Sequence, residues 1–476
     1  MRQLSRREFL EQSMMAAAAV PSAAAFAQAA PARAVGPNEV LRVAVVGTKG
    51  RGGSHLGAFG GMKDVQVAAI VDIDENVVAD TLKGLEKKGL KKPDVYEDFR
   101  KMLEDKSIDA ISVATCNHTH TLISLYAVQA GKHVYVEKPL SHNVWEGRKL
   151  VEAARKYGRI VQHGTQSRSG GGHRKAAQFL AEGKLGKIKV SRGLCYKRRG
   201  SIGTLADSPV PKGVNYDLWL GPAPERPFNK NRFHYNWHWH WDYGNGDIGN
   251  QGVHEMDKAR WYLGKKELPL SVTSIGGRFG YTDQAETANT QIVCMDYGDG
   301  QQVIFEVRGL ETPKHMTEGI GNLVHCEKGY VAGSTAFDLD GKKVEMDVHD
   351  DGRGGDHFRN FVNAVKSGKH EDLNADVLDG HLSAALGHLG NISLRLGEPQ
   401  PLSKNDPFGK NDEGNESFNR MREHLKSNSV DLDKTMVRVG RTLRLHPKAE
   451  TFVDDAEACK MLTREYRKPF VVPEYV

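Results

Sequence analysis

The sequence predicts an α/β protein with two domains: a doubly wound parallel sheet, followed by an α+β domain with an open, mostly antiparallel sheet. Between residues 41 and 163, short apolar runs of strand length alternate with segments of helical length, which is typical of parallel strands joined by crossover helices. Beyond residue 186 the pattern changes to longer extended runs, two of which flank Gly298, Asp299 and Gly300 as the arms of a hairpin. The chain has 476 residues, of which 39% are hydrophobic, and this is enough for two cores.

The first strand, Leu41–Val46, runs directly into a glycine-rich turn, and a helix is expected to begin near Ser54. Small residues in such a turn let the backbone approach a pyrophosphate, whose charge is held by free amides at the helix start. In the G-x-G-x-x-G spacing that runs from Gly47 to Gly52, Lys49 replaces the middle glycine. The residues expected to contact the phosphates of a dinucleotide are Gly47, Lys49, Gly50, Arg51 and Gly52.

A second strand, residues 67–71, ends at Asp72. An acid at this position of a Rossmann domain accepts hydrogen bonds from the adenosine ribose hydroxyls. Because its carboxylate would repel a 2′-phosphate, the sequence favours NAD over NADP as the cofactor.

Two further strands deliver polar residues to the same sheet edge. The strand at 109–114 is followed by Thr115, Asn117, His118 and His120, and a helix through residues 122–130 leads to a strand that ends at Glu137 and Lys138. In doubly wound sheets, ligands bind beyond the carboxyl ends of the strands. We therefore expect these six side chains to contact the cofactor, with Lys138 facing the reacting end.

These motifs together resemble the Gfo/Idh/MocA family, named after glucose-fructose oxidoreductase and inositol dehydrogenase. The resemblance covers residues 40–396, in family order, and rests on the Gly47 turn, Asp72, residues 115–120, Glu137-Lys138-Pro139, Trp219-Leu220-Gly221-Pro222, Gly252 and His254. It implies an NAD(P)-dependent oxidoreductase that acts on a secondary alcohol of a sugar, sugar acid or cyclitol.

The family usually carries Asp-x-Gly-x-His where this chain has Asn250, Gly252 and His254. If the segment opens a helix, Asp247, Asn250 and His254 lie on one face. In the expected mechanism Lys138 donates a hydrogen bond to the reacting oxygen and His254 takes its proton. Asn250 stands in the position of the family's acid, and Asp247, one turn earlier, is a candidate to replace that acid.

The densest polar cluster is the aromatic run at residues 231–243. If this run is extended, its tryptophans share one face and its histidines the other, so that the rings suit the C–H surfaces of sugars. The expected substrate contacts are Arg168, Tyr235, Trp237, His238, Trp239 and His240. The alternative is a buried aromatic strand with satisfied histidines. A metal site is not expected, because ligands on one strand face rarely close a tetrahedron.

Two other functions fit the same residues. One is a redox-neutral glycoside hydrolase, lyase or epimerase, which oxidises a sugar carbon and reduces it again on a resident NAD. The other is a non-catalytic sugar-binding or assembly protein that kept the fold.

The amino terminus predicts export. Arg6 and Arg7 precede an apolar run at 14–20 and an A-x-A sequence at 25–27, which is the pattern of a twin-arginine signal. Because the twin-arginine machinery carries folded proteins, a tightly bound cofactor can travel with the enzyme. We expect a soluble periplasmic protein.

Charge and composition argue against nucleic acid as a partner. The net charge of +6 is dispersed, without the long basic run that nucleic-acid binding would favour, and the five cysteines are scattered. The expected organisation is a signal and linker (1–34), a NAD-binding Rossmann domain (38–170), an α+β substrate and oligomerisation domain (171–400) and a carboxyl-terminal extension (401–476). An open sheet face in the second domain makes a homo-oligomer the expected state.

Overall fold

The computed structural model describes residues 36, 38–403 and 406–476. The predicted export signal at residues 1–34 lies outside this part of the chain. Within the described residues, the first sheet has six parallel strands in the order β3-β2-β1-β4-β5-β6. This is the predicted doubly wound sheet, and its strands are β1 (Leu41–Val46), β2 (Val65–Val71), β3 (Asp94–Tyr96), β4 (Ala110–Val113), β5 (His133–Val136) and β6 (Val161–His163).

Helices cover both faces of this sheet. They are α1 (Arg51–Gly60), α2 (Glu75–Lys87), α3 (Phe99–Glu104), α4 (Asn117–Gln129) and α5 (Val144–Lys156), whereas α6 (Gly171–Ala181), next in the chain, packs into the core of the second domain. Two of them begin earlier than the sequence predicts. α1 begins at Arg51 because Gly50, with φ 61°, completes the turn immediately before it. α4 begins at Asn117, so the polar residues that follow β4 lie in its first turns.

The second sheet is mixed and mostly antiparallel, as predicted, and its main path runs β14-β13-β12-β11-β7-β10-β9-β8-β16-β15. β7 and β10 are parallel at its centre, while β9 and β10 form the predicted hairpin. The strands are β7 (Ile188–Tyr196), β8 (Ser271–Gly277), β9 (Thr290–Asp296), β10 (Gln302–Arg308), β11 (Ile320–Cys326), β12 (Gly329–Ala332), β13 (Thr335–Asp338), β14 (Lys343–Val344), β15 (Glu398–Pro401), β16 (Met436–Val439), β17 (Leu443–His446) and β18 (Thr451–Phe452).

The remaining helices lie beyond residue 215, and the one at His357–Ser367 packs on the first domain, in one apolar cluster with Leu41 and Phe59. They are α7 (Tyr216–Leu220), α8 (Gly246–Gly249), α9 (Gly252–Tyr262), α10 (His357–Ser367), α11 (Val377–Arg395), α12 (Asp412–Ser427) and α13 (Ala456–Lys460), with short 3₁₀ turns at Gln166–Ser169, Lys230–Arg232, Asn236–Trp239 and His370–Asp372. Within the described residues, none of the helices is both long and apolar enough to cross a bilayer.

The alternation of side chains along β10 explains how the sheet is buried on both faces. Val303 and Phe305 point into the core that α9 and α11 complete, whereas Ile304 points to the opposite face. That opposite face is covered by α12 of the same chain, through Phe418 and Met421. Part of the carboxyl-terminal extension therefore belongs to the core of the second domain.

A buried ion pair joins the two domains behind the sheet edge. Arg168, just after β6, donates to both carboxylate oxygens of Asp257 in α9 at 2.9–3.0 Å, and Ser383 in α11 donates to the same carboxylate at 2.7 Å. Although burial opposes ionisation, Arg168 holds the pKa of Asp257 below its ordinary value. Arg168 is therefore occupied by Asp257 and does not line the cavity described below, and its expected contact with substrate stays a prediction.

Asp257→Ala should lower the free energy of unfolding by about 3 kcal/mol, because it leaves the buried Arg168 charge without its main partner. Urea denaturation followed by circular dichroism measures the change. Lys434→Ala is the matched control, since it removes an exposed ion pair with Asp431 and should change stability little. If the two variants lost equal free energy of unfolding, a structural role for the buried Arg168–Asp257 pair would be contradicted.

Candidate cofactor and active site

A cavity of about 460 Å³ lies beyond the carboxyl ends of β1, β2, β4 and β5. Its walls come from the first domain, from the 218–250 region and from the far carboxyl-terminal part of the chain. The residues that line it and matter below are Gly47, Lys49, Gly50, Arg51, Asp72, Phe99, Thr115, Asn117, His120, Leu122, Ile123, Glu137, Lys138, Leu218, Trp219, His234, Tyr235, Trp237, His238, Asn250 and Phe470.

The glycine-rich turn forms a backbone cradle at one end of this cavity. A Cβ on Gly47 would lie 2.9 Å from the carbonyl oxygen of Ala114, and one on Gly52 would lie 1.8 Å from the carbonyl oxygen of Gly47. Gly50, by contrast, has open space above it. The turn is therefore packed tightly from below and open to the cavity at the start of α1, which fits an anionic pyrophosphate. Gly52 supports the turn from below and does not line the cavity.

Asp72 is positioned at the cavity wall by the same turn. Its Oδ2 accepts from the backbone N–H (2.8 Å) and the hydroxyl (3.1 Å) of Thr48, while its Oδ1 accepts one longer bond, 3.3 Å, from the backbone of Asp74. Burial raises the pKa of Asp72 above its ordinary value. The carboxylate is held in one orientation and retains acceptor capacity towards a ribose.

Glu137 is a buried carboxylate at the end of β5. Its Oε1 accepts from Arg51 (2.7 Å) and Gln166 (3.2 Å) and lies 3.1 Å from Nε2 of His55. Although burial opposes ionisation, His55 and Arg51 hold the pKa of Glu137 well below its usual range. Glu137 therefore joins α1 to β5 as a fixed negative charge, immediately before Lys138.

The Lys138 ammonium bridges the two domains. Its Nζ donates to the backbone oxygen of Asn250 at 3.0 Å and to Oδ1 of the same residue at 3.2 Å. Burial lowers the pKa of Lys138 below its ordinary value, against the opposing carboxylates of Glu137 and Glu255. A lysine in this state is a better proton donor than one in water.

The segment around Asn250 is a broken helix, contrary to the predicted continuous face. α8 ends at Gly249, Asn250 has φ −95° and ψ −98°, and α9 begins at Gly252. The break turns the Asn250 carbonyl towards Lys138. Asp247 is turned elsewhere, because Arg199 donates two bonds to its carboxylate at 2.7 and 3.0 Å. Asp247 therefore does not line the cavity, and its candidate role in place of the family's acid stays a prediction without support from this geometry.

His254 lies one turn beyond Asn250, outside the residues that line the cavity. Burial and the nearby Lys138 charge lower its pKa to about 3. The ring is therefore neutral at physiological pH, and a neutral imidazole can accept a proton.

The aromatic run is not an extended strand but two 3₁₀ turns. The chain doubles back so closely that a Cβ on Gly244 would lie 2.5 Å from the Cα of His238. Tyr235, Trp237 and His238 line the cavity, with the last two rings stacked at 3.6 Å. Two other expected substrate contacts do not line it, because their side chains pack elsewhere: Trp239 lies under the Arg199 guanidinium, and His240 contacts the Asn231 carbonyl oxygen.

Of the polar residues that follow β4, in and just before the first turns of α4, some line the cavity and one points away from it. Thr115, Asn117 and His120 line the cavity, and the His120 ring lies 2.8 Å from the carbonyl oxygen of Pro139. His118 points away, with Nε2 2.9 Å from the carbonyl oxygen of Trp219. His118 does not line the cavity, because helix periodicity places its ring on another face, and its expected contact with the cofactor stays a prediction.

The cavity wall includes residues that sequence reasoning did not single out, among them His234 and Phe470. His234 lies 3.0 Å from the Asp74 carboxylate and has a positive φ of 60°, which no local pattern indicates. Phe470 lies in a tail with weak patterning, where no signal was available.

Sequence comparisons agree with this arrangement. Residues 41–165 match the model of the Gfo/Idh/MocA oxidoreductase family's NAD-binding Rossmann fold, and residues 187–423 match that of its C-terminal alpha/beta domain. The chain is 24% identical to inositol 2-dehydrogenase 2 of Saccharopolyspora erythraea over 372 residues, which covers 76% of this chain and 95% of the relative. It is 29% identical to inositol 2-dehydrogenase of Rubrobacter xylanophilus over 400 residues, which covers 78% and 96%.

Solved structures show the same fold. The WlbA dehydrogenase from Bordetella pertussis, in complex with NADH and UDP-GlcNAcA, matches with a TM-score of 0.57 at 20% identity, over 75% of this chain and 97% of that one. The aldose-aldose oxidoreductase from Caulobacter crescentus, complexed with glycerol, matches with a TM-score of 0.55 at 16% identity, over 74% and 98%. From the two family matches, the chain belongs to the Gfo/Idh/MocA family of NAD-binding oxidoreductases.

Proposed function

We propose that this protein oxidises or reduces a secondary alcohol of a sugar, sugar acid or cyclitol with NAD. The observation that carries the proposal is the Lys138 ammonium, held by Asn250 in the wall of the cavity that also contains the glycine cradle. The named relatives include inositol dehydrogenases, which supports a polyhydroxylated substrate.

Each part of NAD can be assigned to cavity residues whose positions and chemistry suit it. Gly47, Gly50 and the start of α1 would hold the pyrophosphate, Asp72 the adenosine ribose, and Thr115 and Asn117 the middle of the dinucleotide. When bound, NAD supplies a nicotinamide ring that exchanges hydride with the substrate carbon. Because an additional 2′-phosphate would face the Asp72 carboxylate, NAD is the proposed cofactor in preference to NADP.

Side chains of the protein bind the substrate oxygen and accept its proton. Lys138 donates a hydrogen bond to that oxygen and stabilises negative charge as it develops there. The candidate acceptor of the alcohol proton in the oxidative direction is His254, which is neutral in the resting site and lies just outside the residues that line the cavity. Tyr235 and the stacked pair of Trp237 and His238 supply an aromatic wall for the sugar C–H surface.

The family finding argues against a non-catalytic binding protein. Product analysis separates net oxidation, which accumulates NADH, from a redox-neutral cleavage or epimerisation, which does not. Export by the twin-arginine route, a periplasmic location and homo-oligomer formation stay predictions.

Lys138→Met should lower kcat by about 10²-fold or more, because it removes the proton donor while keeping most of the side chain's volume. The affinity for NAD, measured by equilibrium dialysis, should change little. Lys83→Met, at an exposed position of α2, is the control. If Lys138→Met turns over inositols and sugar alcohols as fast as the control, the proposed role of Lys138 is wrong.

Asp72→Ala should weaken NAD binding by about 10-fold or more, the loss expected when a charged acceptor leaves a ribose hydroxyl unpaired. Binding of NADP should be weakened less, since the repulsive carboxylate is gone. Asp80→Ala, at an exposed position of α2, should leave both affinities unchanged. Equal losses for NAD and NADP in Asp72→Ala would contradict the ribose assignment.

Asn250→Asp should move the alkaline limb of the kcat/KM profile to higher pH by about 1–3 units, because a carboxylate would replace the amide oxygen 3.2 Å from Lys138 Nζ. In the native enzyme that limb should fall below pH 10.5, since burial lowers the pKa of Lys138 and activity is lost as the ammonium deprotonates. Initial rates across pH 6–11 test this, and an unmoved limb would exclude Lys138 as the titrating group.

A further inference from the structure

The tail segment, which we define as residues 463–476, lies beyond the residues matched by either family model, the second of which ends at 423. It nevertheless packs back onto the first domain of its own chain. Phe470 and Val472, 2% and 4% exposed, belong to the same apolar core as Val71 of β2 and Phe99 of α3. The tail segment is therefore an ordered part of the Rossmann domain's surface.

Two arginines bind this segment to α7 and to the aromatic run, both of which contribute residues to the cavity wall. Arg467 donates to the Asp217 carboxylate at 2.5 Å and to the Gly221 carbonyl oxygen at 3.0 Å, on either side of the cavity residues Leu218 and Trp219. Arg464 donates to the backbone oxygen of Asp242 at 2.8 Å. The tail segment thus ties the edge of the first domain to the region that covers the cavity.

Phe470 itself lines the cavity. Its ring is flanked by the guanidinium groups of Arg100 and Arg467, whose centres lie 5.1 and 5.0 Å from the ring centroid. Three other cavity residues belong to the same apolar core as Phe470: Phe99 of α3, and Leu122 and Ile123 of α4. Phe99 follows β3 and Lys138 follows β5, and these two strands lie on opposite sides of β1 in the sheet.

We propose that Phe470 forms one wall of the adenine subsite and that the tail segment closes this end of the cavity, so that bound NAD is released slowly. The inference rests on the proposed function, in which Asp72 holds the adenosine ribose. An adenine beside that ribose has to enter the apolar recess between Phe99, Leu122, Ile123 and Phe470. Since Phe470 lines this recess and Arg464 and Arg467 anchor the segment that carries it, the adenosine moiety leaves only when those anchors open.

The test measures the rate of NADH release from the full-length holoenzyme. Excess NAD, which does not fluoresce, is added to the NADH complex, and the loss of protein-enhanced NADH fluorescence reports the release. Phe470→Ala should accelerate release about tenfold, the effect of removing one aromatic contact to a base. Arg467→Met should also accelerate release, because it frees the tail segment without altering the cavity wall. Tyr475→Ala, an 85% exposed aromatic residue in the same segment, is the matched control and should match the native rate.

Probes that carry only part of the dinucleotide locate the effect. Affinity for AMP should fall in Phe470→Ala, whereas affinity for reduced nicotinamide mononucleotide, which lacks adenine, should stay at the native value. Arg467→Met keeps the test valid if Phe470→Ala does not fold, as judged by its thermal unfolding midpoint. The inference would be overturned if both variants released NADH at the native rate. It would also be overturned if Phe470→Ala lost equal affinity for AMP and for reduced nicotinamide mononucleotide. A native protein that binds none of these probes would instead refute the proposed function.

Discussion

One buried carboxylate constrains the whole site. Glu137 is 4% exposed, and it accepts hydrogen bonds from Arg51 of α1 and from Gln166 beyond β6 while His55 lies against it. A charge buried in this way is tolerated only when such partners surround it. The backbone at Gly164 passes so close to Glu137 that a Cβ on this glycine would lie 3.0 Å from the carboxylate. Through these contacts the helix after the glycine turn is fixed relative to β5.

The position of Lys138 follows from that constraint. It is the next residue along the chain, so its backbone is fixed where β5 ends, and its ammonium reaches the second domain at Asn250. The helix break at Asn250 supplies a free carbonyl oxygen for this contact. Asn250 therefore replaces the family's acid with an acceptor that carries no charge, and Lys138 keeps a lowered pKa. The departure from the family motif changes the electrostatics of the site but keeps the contact between the domains.

Much of the fold was predictable because it depends on local pattern. The apolar run of β1, the small residues after it and Asp72 identify the first sheet, and the structure confirms both sheets. The helix break was not predictable, because Asn250 and Gln251 are compatible with a continuous helix. The alternating Trp and His residues at 237–241 resemble a strand, yet Gly244 lets the chain fold back on His238. The contact of Phe470 with the cavity depends on a fold-back across hundreds of residues, which carries no local signal.

We propose that the cavity between the glycine turn and Lys138 holds NAD. The most direct measurement is the absorbance and mass spectrum of the small molecule released when the natively produced protein is denatured. We expect NAD or NADH in stoichiometric amount, with NADP at most a minor species. A protein that releases no nucleotide, and that also fails to bind added NAD or NADP, would contradict this account.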